Sequence, residues 1–600
     1  RRFTIRPRPF AAGALLALFA AVGCSDRESG APAASTSGTA KPLRPAAEVR
    51  TASDRPAEPP PETLIRFEDR TREAGVDFIY RSGEEAGHFS ILESLGGGAG
   101  LIDFDLDGAP DLVLPGGGEY GPGPTIRGLP PALYRNLGSW RYVEVAGPAG
   151  LRSAPYYSHG PAVADYDADG FPDLVITGYG GLVLFRNQGD GTFVEETAAA
   201  GMTDGLWSSS AAWGDFDGDA NLDLYVAHYV DWSFDNHPFC PGPTRETRDI
   251  CSPRRFQPLP DTLYVSNGDG TFRDASDEAG LRVGKGPEDH GKGLGVVTAD
   301  LDLDGDLDVY VTNDTVPNFL YRNDGAGRFE EVALMSGTAL SDRGVPDGSM
   351  GVDVGDFNLD GRPDIWVANY ERESIALYRN EGNGFYQHTS QATGVTAVGG
   401  LFVGWGTVFC DFDRDGDQDT FVSNGHVIRF PDNATIEQLP LLFENKEGRR
   451  FVNVAPAAGE YMTSRHRGRG VAMGDLDGDG RVDLVSSRVD QPAVLLANAS
   501  RDGHHWLGVR LIGTRSPRDP IGAVVRVRTA RGTQMRQFVG GGSYASTNDR
   551  RLYLGLGTEG RVERLEIDWP SGARQVVENV PADAVVTVRE IPNDAVAAAE

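Results

Sequence analysis

Seven short stretches of this sequence place carboxylates at a spacing suited to holding a hard cation. The clearest runs Asp300-Leu301-Asp302-Leu303-Asp304-Gly305-Asp306-Leu307-Asp308 and continues into Val309-Tyr310-Val311. Acids at positions 1, 3, 5 and 9, with glycine at 6, turn alternate oxygens inward around a tight bend. That much negative charge is tolerable only with a cation among it. An EF-hand would put a bidentate Glu at position 12 and enter a helix. Here position 12 is Val311, inside a β-branched run, so the loop joins two strands.

The pattern recurs seven times, as loops I to VII. The expected ligands are Asp103, Asp105, Asp107 and Asp111 in loop I; Asp165, Asp167, Asp169 and Asp173 in II; Asp215, Asp217, Asp219 and Asp223 in III. They continue with Asp300, Asp302, Asp304 and Asp308 in IV; Asp356, Asn358, Asp360 and Asp364 in V; Asp411, Asp413, Asp415 and Asp419 in VI; and Asp475, Asp477, Asp479 and Asp483 in VII. The expected cofactor is Ca2+, about seven ions per chain. Loop III has Ala220 where the others have glycine and loop V has Asn358 at position 3, so these two are expected to bind most weakly. A period near 55 residues marks a repeat architecture.

The elements that position these loops read as strands. Each repeat has an aromatic-led strand (Phe272-Arg273-Asp274), a small-residue strand into the loop (Gly470-Val471-Ala472-Met473-Gly474), a strand out of it (Asp173-Leu174-Val175-Ile176), and a piece such as Leu377-Tyr378-Arg379-Asn380 before a Gly-rich turn. Four strands per unit and seven units predict an all-β fold, a seven-bladed β-propeller over residues 63–500 with calcium-binding loops between strands. An aromatic-led strand already stands at Phe67, before loop I, so the ring is expected to close by pairing N- and C-terminal strands in one blade. D-x-D-x-D-G-x-x-D followed by an apolar strand resembles the FG-GAP or VCBS repeat, also found in integrin α-subunit propellers. The resemblance implies calcium in the loops, in agreement with the carboxylate argument.

The net charge is -31, yet 29 of the 87 acids sit at odd positions of the seven loops. Seven divalent ions would offset about 14 of those charges, so the acidity is mostly ligand charge. Such a balance also argues against nucleic acid as a partner.

Residues 1–24 read as an export signal. Arg1, Arg2, Arg6 and Arg8 precede the apolar run Phe10–Val22, too short to span a bilayer. Ala21-Val22-Gly23-Cys24 is similar to a bacterial lipobox, which makes Cys24 a candidate lipidation site and implies an exported protein of the bacterial envelope, held at the membrane by that anchor, or a secreted one. Residues 25–62, rich in Ala, Pro and Ser, read as a flexible tether. Repeat III carries an insertion, about Tyr229–Pro260, whose Cys240 and Cys251 are expected to form a disulfide in an exported chain. Cys410 reads as a small buried residue.

After Ser500 aspartates thin out and arginines rise, and alternating runs such as Ala523-Val524-Val525-Arg526-Val527-Arg528 predict a small, separate β-rich domain over 501–592. His505-Trp506-Leu507-Gly508, Gly540-Gly541-Gly542-Ser543-Tyr544, Leu554-Gly555-Leu556-Gly557 and Trp569-Pro570-Ser571-Gly572 resemble the ASPIC/UnbV module, which follows calcium propellers in the cartilage acidic protein-like family. The resemblance brings no chemistry with it.

A ligand site is expected where the inner strands begin, at the axial mouth opposite the loops. Candidate residues there are His159, Asp289, His290, Trp405, His426, His466 and Arg469, a set suited to an anionic or sugar-like ligand or to packing alone. No nucleophile elbow, H-E-x-x-H or phosphate-binding glycine loop occurs, so no catalytic residue is assigned. The expected role is binding or adhesion at the cell surface or in the periplasm, to a surface glycan or protein. A polysaccharide hydrolase or lyase and an envelope assembly scaffold are the alternatives.

Overall fold

A computed structural model describes residues 61–591 apart from 283–285, 287, 288, 433 and 502. The export signal, Cys24 and nearly all of the tether lie outside the described residues. Seven antiparallel sheets carry the repeats, six of four strands and one, that of loop IV, with Gly540–Gly541 as a fifth. Each calcium-type loop joins the first two strands of its sheet, and we number the blades by their loops. Blade IV is representative: Gly293–Ala299, Asp308–Asn313, Phe319–Asn323 and Phe329–Glu331. First strands of successive sheets lie side by side around a closed circuit, with that of blade I between those of blades II and VII. Blade VII takes its outermost strand from the N-terminus, where Phe67 pairs with Asn498 and Asp69 with Leu496. The expected closure is therefore present.

First strands rich in small residues and buried along their length allow this crowding toward the axis. Between blades the packing is aromatic: the fully buried Trp366 meets Phe409, Phe443 and Phe451 edge-on at 5.8, 5.5 and 5.4 Å. A buried side chain of that size contributes about 2–3 kcal/mol.

The C-terminal module has two sheets. Arg551–Gly557, His505–Ile512 and Ala584–Arg589 form one; Gly532–Gln537, Val524–Thr529, Arg561–Asp568 and Arg574–Pro581 form the other. The module does not stand apart, contrary to the sequence expectation. The described residues make one compact unit, and Val509, Val525 and Leu565 share an apolar core with Trp213, Leu224 and Leu307 of the propeller. The physical reason is charge and shape together. Arginines of the module meet the acidic loops, and the chain between Gln537 and Arg551 runs into the ring, where Gly540 and Gly541 pair with Thr298 and Val297.

Candidate metal centres

In every loop the aspartate at position 9 begins the second strand and is buried. One of its oxygens accepts the backbone N–H of loop position 2, as in Phe216 N to Asp223 Oδ2 (3.0 Å) and Leu476 N to Asp483 Oδ2 (2.8 Å). The other accepts a backbone N–H from at or near the end of the third strand, as in Asn380 N to Asp364 Oδ1 (2.8 Å). Position 1 accepts from the backbone at position 6: Gly361 N reaches Asp356 Oδ2 and Ala220 N reaches Asp215 Oδ2, at 2.9 and 3.0 Å. The loop therefore cages its own carboxylates before any ion enters.

These bonds leave other oxygens bare. In loops I, II, III, IV and VI three carboxylates bring ligand atoms within 4.8 Å of one another. Asp165 Oδ1, Asp300 Oδ1, Asp302 Oδ1 and Asp411 Oδ1 are buried with no hydrogen-bond partner. Burial, joined by neighbouring loop carboxylates, pushes Asp173 up to about 9, Asp223 to about 8 and Asp300 to about 7. Orphaned carboxylate oxygens converging at that distance fit a hard divalent cation, whose charge would offset their mutual repulsion.

Loop III does adopt the strained conformation expected of it, with Ala220 at φ 71°. The expectation that this singles it out is corrected by position 4. There Leu106, Ala168, Leu303, Leu359 and Arg414 hold φ between 57° and 63° in loops I, II, IV, V and VI, whereas loop III has Gly218. Each of these six loops thus carries one left-handed residue with a side chain. Loop VII, with Gly478 and Gly480, carries none at these positions. In loop V, Asn358 Nδ2 donates to Asp360 Oδ2 at 2.9 Å, occupying an oxygen that an ion would otherwise draw on.

Sequence reasoning missed the asparagine at or near the end of the third strand. Its side chain donates to the position-2 carbonyl of the preceding blade's loop: Asn187 to Phe104 O (2.9 Å), Asn380 to Leu301 O (2.9 Å), Asn445 to Phe357 O (2.8 Å) and Asn498 to Phe412 O (2.8 Å). Asn136 closes the circuit back to Leu476 O at 2.9 Å. Blade III has Ser266 in this place, too short to reach. The recurring Asn after Leu-Tyr-Arg was the available signal.

The expected axial pocket is a filled interior. His159 is buried, with Nδ1 at 3.0 Å from Gly96 O and Nε2 accepting Trp207 Nε1–H at 2.8 Å; burial lowers its pKa to about 4, so it is a neutral packing residue. Trp405 donates to Gly425 O and lies 4.2 Å beneath the Arg469 guanidinium, which itself donates to Ser94 O, Gly425 O and Gly468 O. His466 stacks on Tyr461 at 4.0 Å. His426 Nε2 lies 3.5 Å from Glu371 Oε2, on the same buried level. Asp289 is exposed and His290 half-buried. The reason is cover that strand patterns do not reveal: the turn Leu92–Leu95 and Tyr544 of the C-terminal module pack into this space. What stays open on this face is a cleft of about 670 Å³ between Ile79, Phe89, Phe430 and Ile436, floored by Arg429, Arg467, Glu84 and Glu93.

The insertion of repeat III reaches the rim of the same face. Cys240 and Cys251 are bonded as expected, Arg429 N donates to Asp249 at 2.8 Å, and His237 Nε2 lies 3.0 Å from His88 O. Cys410 is free and buried.

The sequence matches the FG-GAP-like repeat family over residues 103–176, 165–226, 300–367 and 356–422, windows that contain loops I to VI, and the ASPIC and UnbV family over 513–595. Cartilage acidic protein 1 of Mus musculus is 24% identical over 519 residues, covering 82% of this chain and 73% of that protein. The Homo sapiens protein is 25% identical over 519 residues, covering 82% and 71%. Among solved structures, an Agrocybe aegerita lectin described as recognising non-reducing terminal N-acetylglucosamine aligns at 16% identity and TM-score 0.37, covering 67% of this chain and 94% of its own, a superposition too loose to carry an argument. Loops, blades and module together make this chain an FG-GAP-repeat protein with a C-terminal ASPIC/UnbV module, homologous to cartilage acidic protein 1, which has the same architecture.

Proposed function

We propose that this chain is an exported, calcium-loaded propeller that serves as a binding or adhesion module through the face opposite its loops. The observation that carries the calcium reading is the convergence of three carboxylates in loops I, II, III, IV and VI, with buried oxygens lacking partners in loops II, IV and VI. FG-GAP repeats commonly bind this ion, and oxygen-only ligands on a turn suit it. Export is supported by the Cys240–Cys251 bond, which persists in oxidising compartments. Calcium here is structural: it would hold each first strand to its second while the opposite face is left for recognition.

That face offers the cleft, with apolar walls, arginines at its floor and a disulfide-pinned insertion at its rim. Such a surface suits a glycan or protein of the cell exterior. Metal analysis of the purified chain should find close to seven calcium ions; two or fewer would refute the loop assignment. The calcium-saturated protein should then be screened against glycan and matrix-protein arrays. Binding that Arg467→Ala abolishes supports the cleft. Binding unaffected by Arg467→Ala or Phe430→Ala would move recognition elsewhere.

A further inference from the structure

Six of the seven junctions between blades are closed by the same bond, an asparagine amide donated to the position-2 carbonyl of the preceding loop. The junction of blades II and III is the exception. Ser266 stands where the asparagine would be, so Tyr166 O, the carbonyl in question, receives no amide. A buried bond made at every other junction is forgone here, and a local rule broken in one copy of a repeat marks a place to look for function.

A cleft of about 410 Å³ opens at this junction, beside loop II. Tyr166, Asp167, Arg186, Glu196, Ser266 and Asp269 are among its walls. Tyr166 is only 4% exposed, and its hydroxyl has no hydrogen-bond partner among the described residues. The charges acting on that hydroxyl include Glu196, Asp167 and Arg186, which sets it against the cleft. The equivalent residue is Phe104, Phe216, Phe357 and Phe412 in loops I, III, V and VI, and leucine in loops IV and VII. This junction alone gives up an amide and gains a buried phenol.

Charge decides what fits. Arg186 Nε lies 3.0 Å from Glu196 Oε1, while its Nη1 is 3.9 Å from Asp167 Oδ2. Thr271 donates to Asp269 Oδ1 through its backbone N–H at 3.1 Å and its hydroxyl at 2.6 Å. With Asp167 assigned to the ion of loop II, two carboxylates, Glu196 and Asp269, face one guanidinium, and one negative charge is in excess. Tyr166 O calls for a donor, and the phenol oxygen can accept one as well. A fitting ligand therefore carries one positive charge and several N–H donors on a small head. A primary ammonium has three donors and no acceptor, and its bonds to carboxylates are charge-assisted.

We propose that the junction of blades II and III is a binding site for a primary ammonium group, whose N–H groups take the place of the missing asparagine amide and reach Tyr166, Glu196 and Asp269. The group is carried by a lysine side chain of a partner or by a small alkylamine. The site is separate from the cleft of Phe430 and Arg467 and stands whether or not that cleft binds anything.

Calorimetric titration of the calcium-saturated full chain at about 0.15 M salt tests this. Nα-acetyl-L-lysine amide should bind at one site per chain, and its Nε-acetylated form, which lacks the charge, at least tenfold more weakly. Ser266→Asn supplies the bridge from within and should weaken binding at least tenfold without lowering the unfolding midpoint. Tyr166→Phe, which keeps the ring, should weaken it at least threefold, while Glu563→Ala on the module's outer surface should change nothing. Butylamine binding as tightly as the lysine compound points to a small amine, and a clear preference for the lysine compound to a partner's side chain; both support the site. No saturable binding up to about 10 mM, or binding that Ser266→Asn leaves intact, overturns the proposal.

Discussion

On the face opposite the loops, buried carboxylates meet the protein's own cations. Glu84 lies between Arg467 (2.7 Å) and Arg429, Glu93 takes Arg429 at 3.1 Å, and Asp204 takes His228 at 2.8 Å. On the loop face the count does not balance. Loop VI sets five aspartates at its odd positions, with Arg536, Arg531 and Lys446 as the positive charges acting on them. Asp165 has Arg518 at 3.0 Å and still keeps a bare buried oxygen. One face is neutralised in part from within and keeps only the cleft open; the other holds more carboxylates than cations and depends on what it binds. Both are capped by chain from outside the repeats, one by the turn before blade I and the insertion, the other by the arginine-rich module.

The largest break in this contrast comes from position 9. Asp308→Ala removes a ligand oxygen and leaves the N–H groups of Leu301 and Asn323 without acceptors. The cost should be about 3–5 kcal/mol in calcium-saturated denaturation; a loss below about 1 kcal/mol would show that the loop is not a buried cage.

His228 probes the internally neutralised face. Burial works against its charge, but Asp204 outweighs that and holds the ring above its ordinary value; Asp204, despite its own burial, is held well below the carboxylate range by His228. The aspartate's share of stability is in place above its unfolded value near 4 and is lost as pH falls below that. The histidine's share is in place below its unfolded value near 6.5 and is lost as pH rises through the raised folded value. His228→Gln should therefore cost about 3 kcal/mol at pH 5.5 and less at pH 8.5, by urea denaturation with calcium present. An equal cost at both would contradict the ion pair.

Asn380→Ala tests the bond between blades and should cost about 2 kcal/mol, since Leu301 O is left with the Tyr386 hydroxyl alone and Pro363 O loses the amide it accepts from. Ser266→Asn, at the one blade lacking the asparagine, should be neutral or gain about 1 kcal/mol. The smallest effect is Ala220→Gly, a gain of about 1 kcal/mol in loop III from relieving the left-handed alanine. No gain would mean that calcium affinity, not backbone strain, sets that loop's stability.

The loops, their strands, the closure through Phe67 and the Cys240–Cys251 bond were legible because each depends on spacing along the chain. The asparagine bridge was not. Asn380 finds Leu301 O across 79 residues and another sheet, so the motif looked like a turn signal. Gly540-Gly541-Gly542 likewise carried only the resemblance to the module, because its partners lie hundreds of residues upstream. His159, Trp405 and Arg469 were placed on the right side of the ring, but one helical turn at Leu92–Leu95 decides whether that side is a pocket, and nothing in strand periodicity announces it.

The most direct test is thermal unfolding of the full chain with saturating calcium and then with excess chelator. If the loop face depends on bound cations, the midpoint should fall by about 10 °C or more, since a few kcal/mol lost at each of several loops sums to the ~10 kcal/mol that such a shift takes in a chain of this size, and calcium returned in excess should restore it. A midpoint unchanged by chelation would contradict the account.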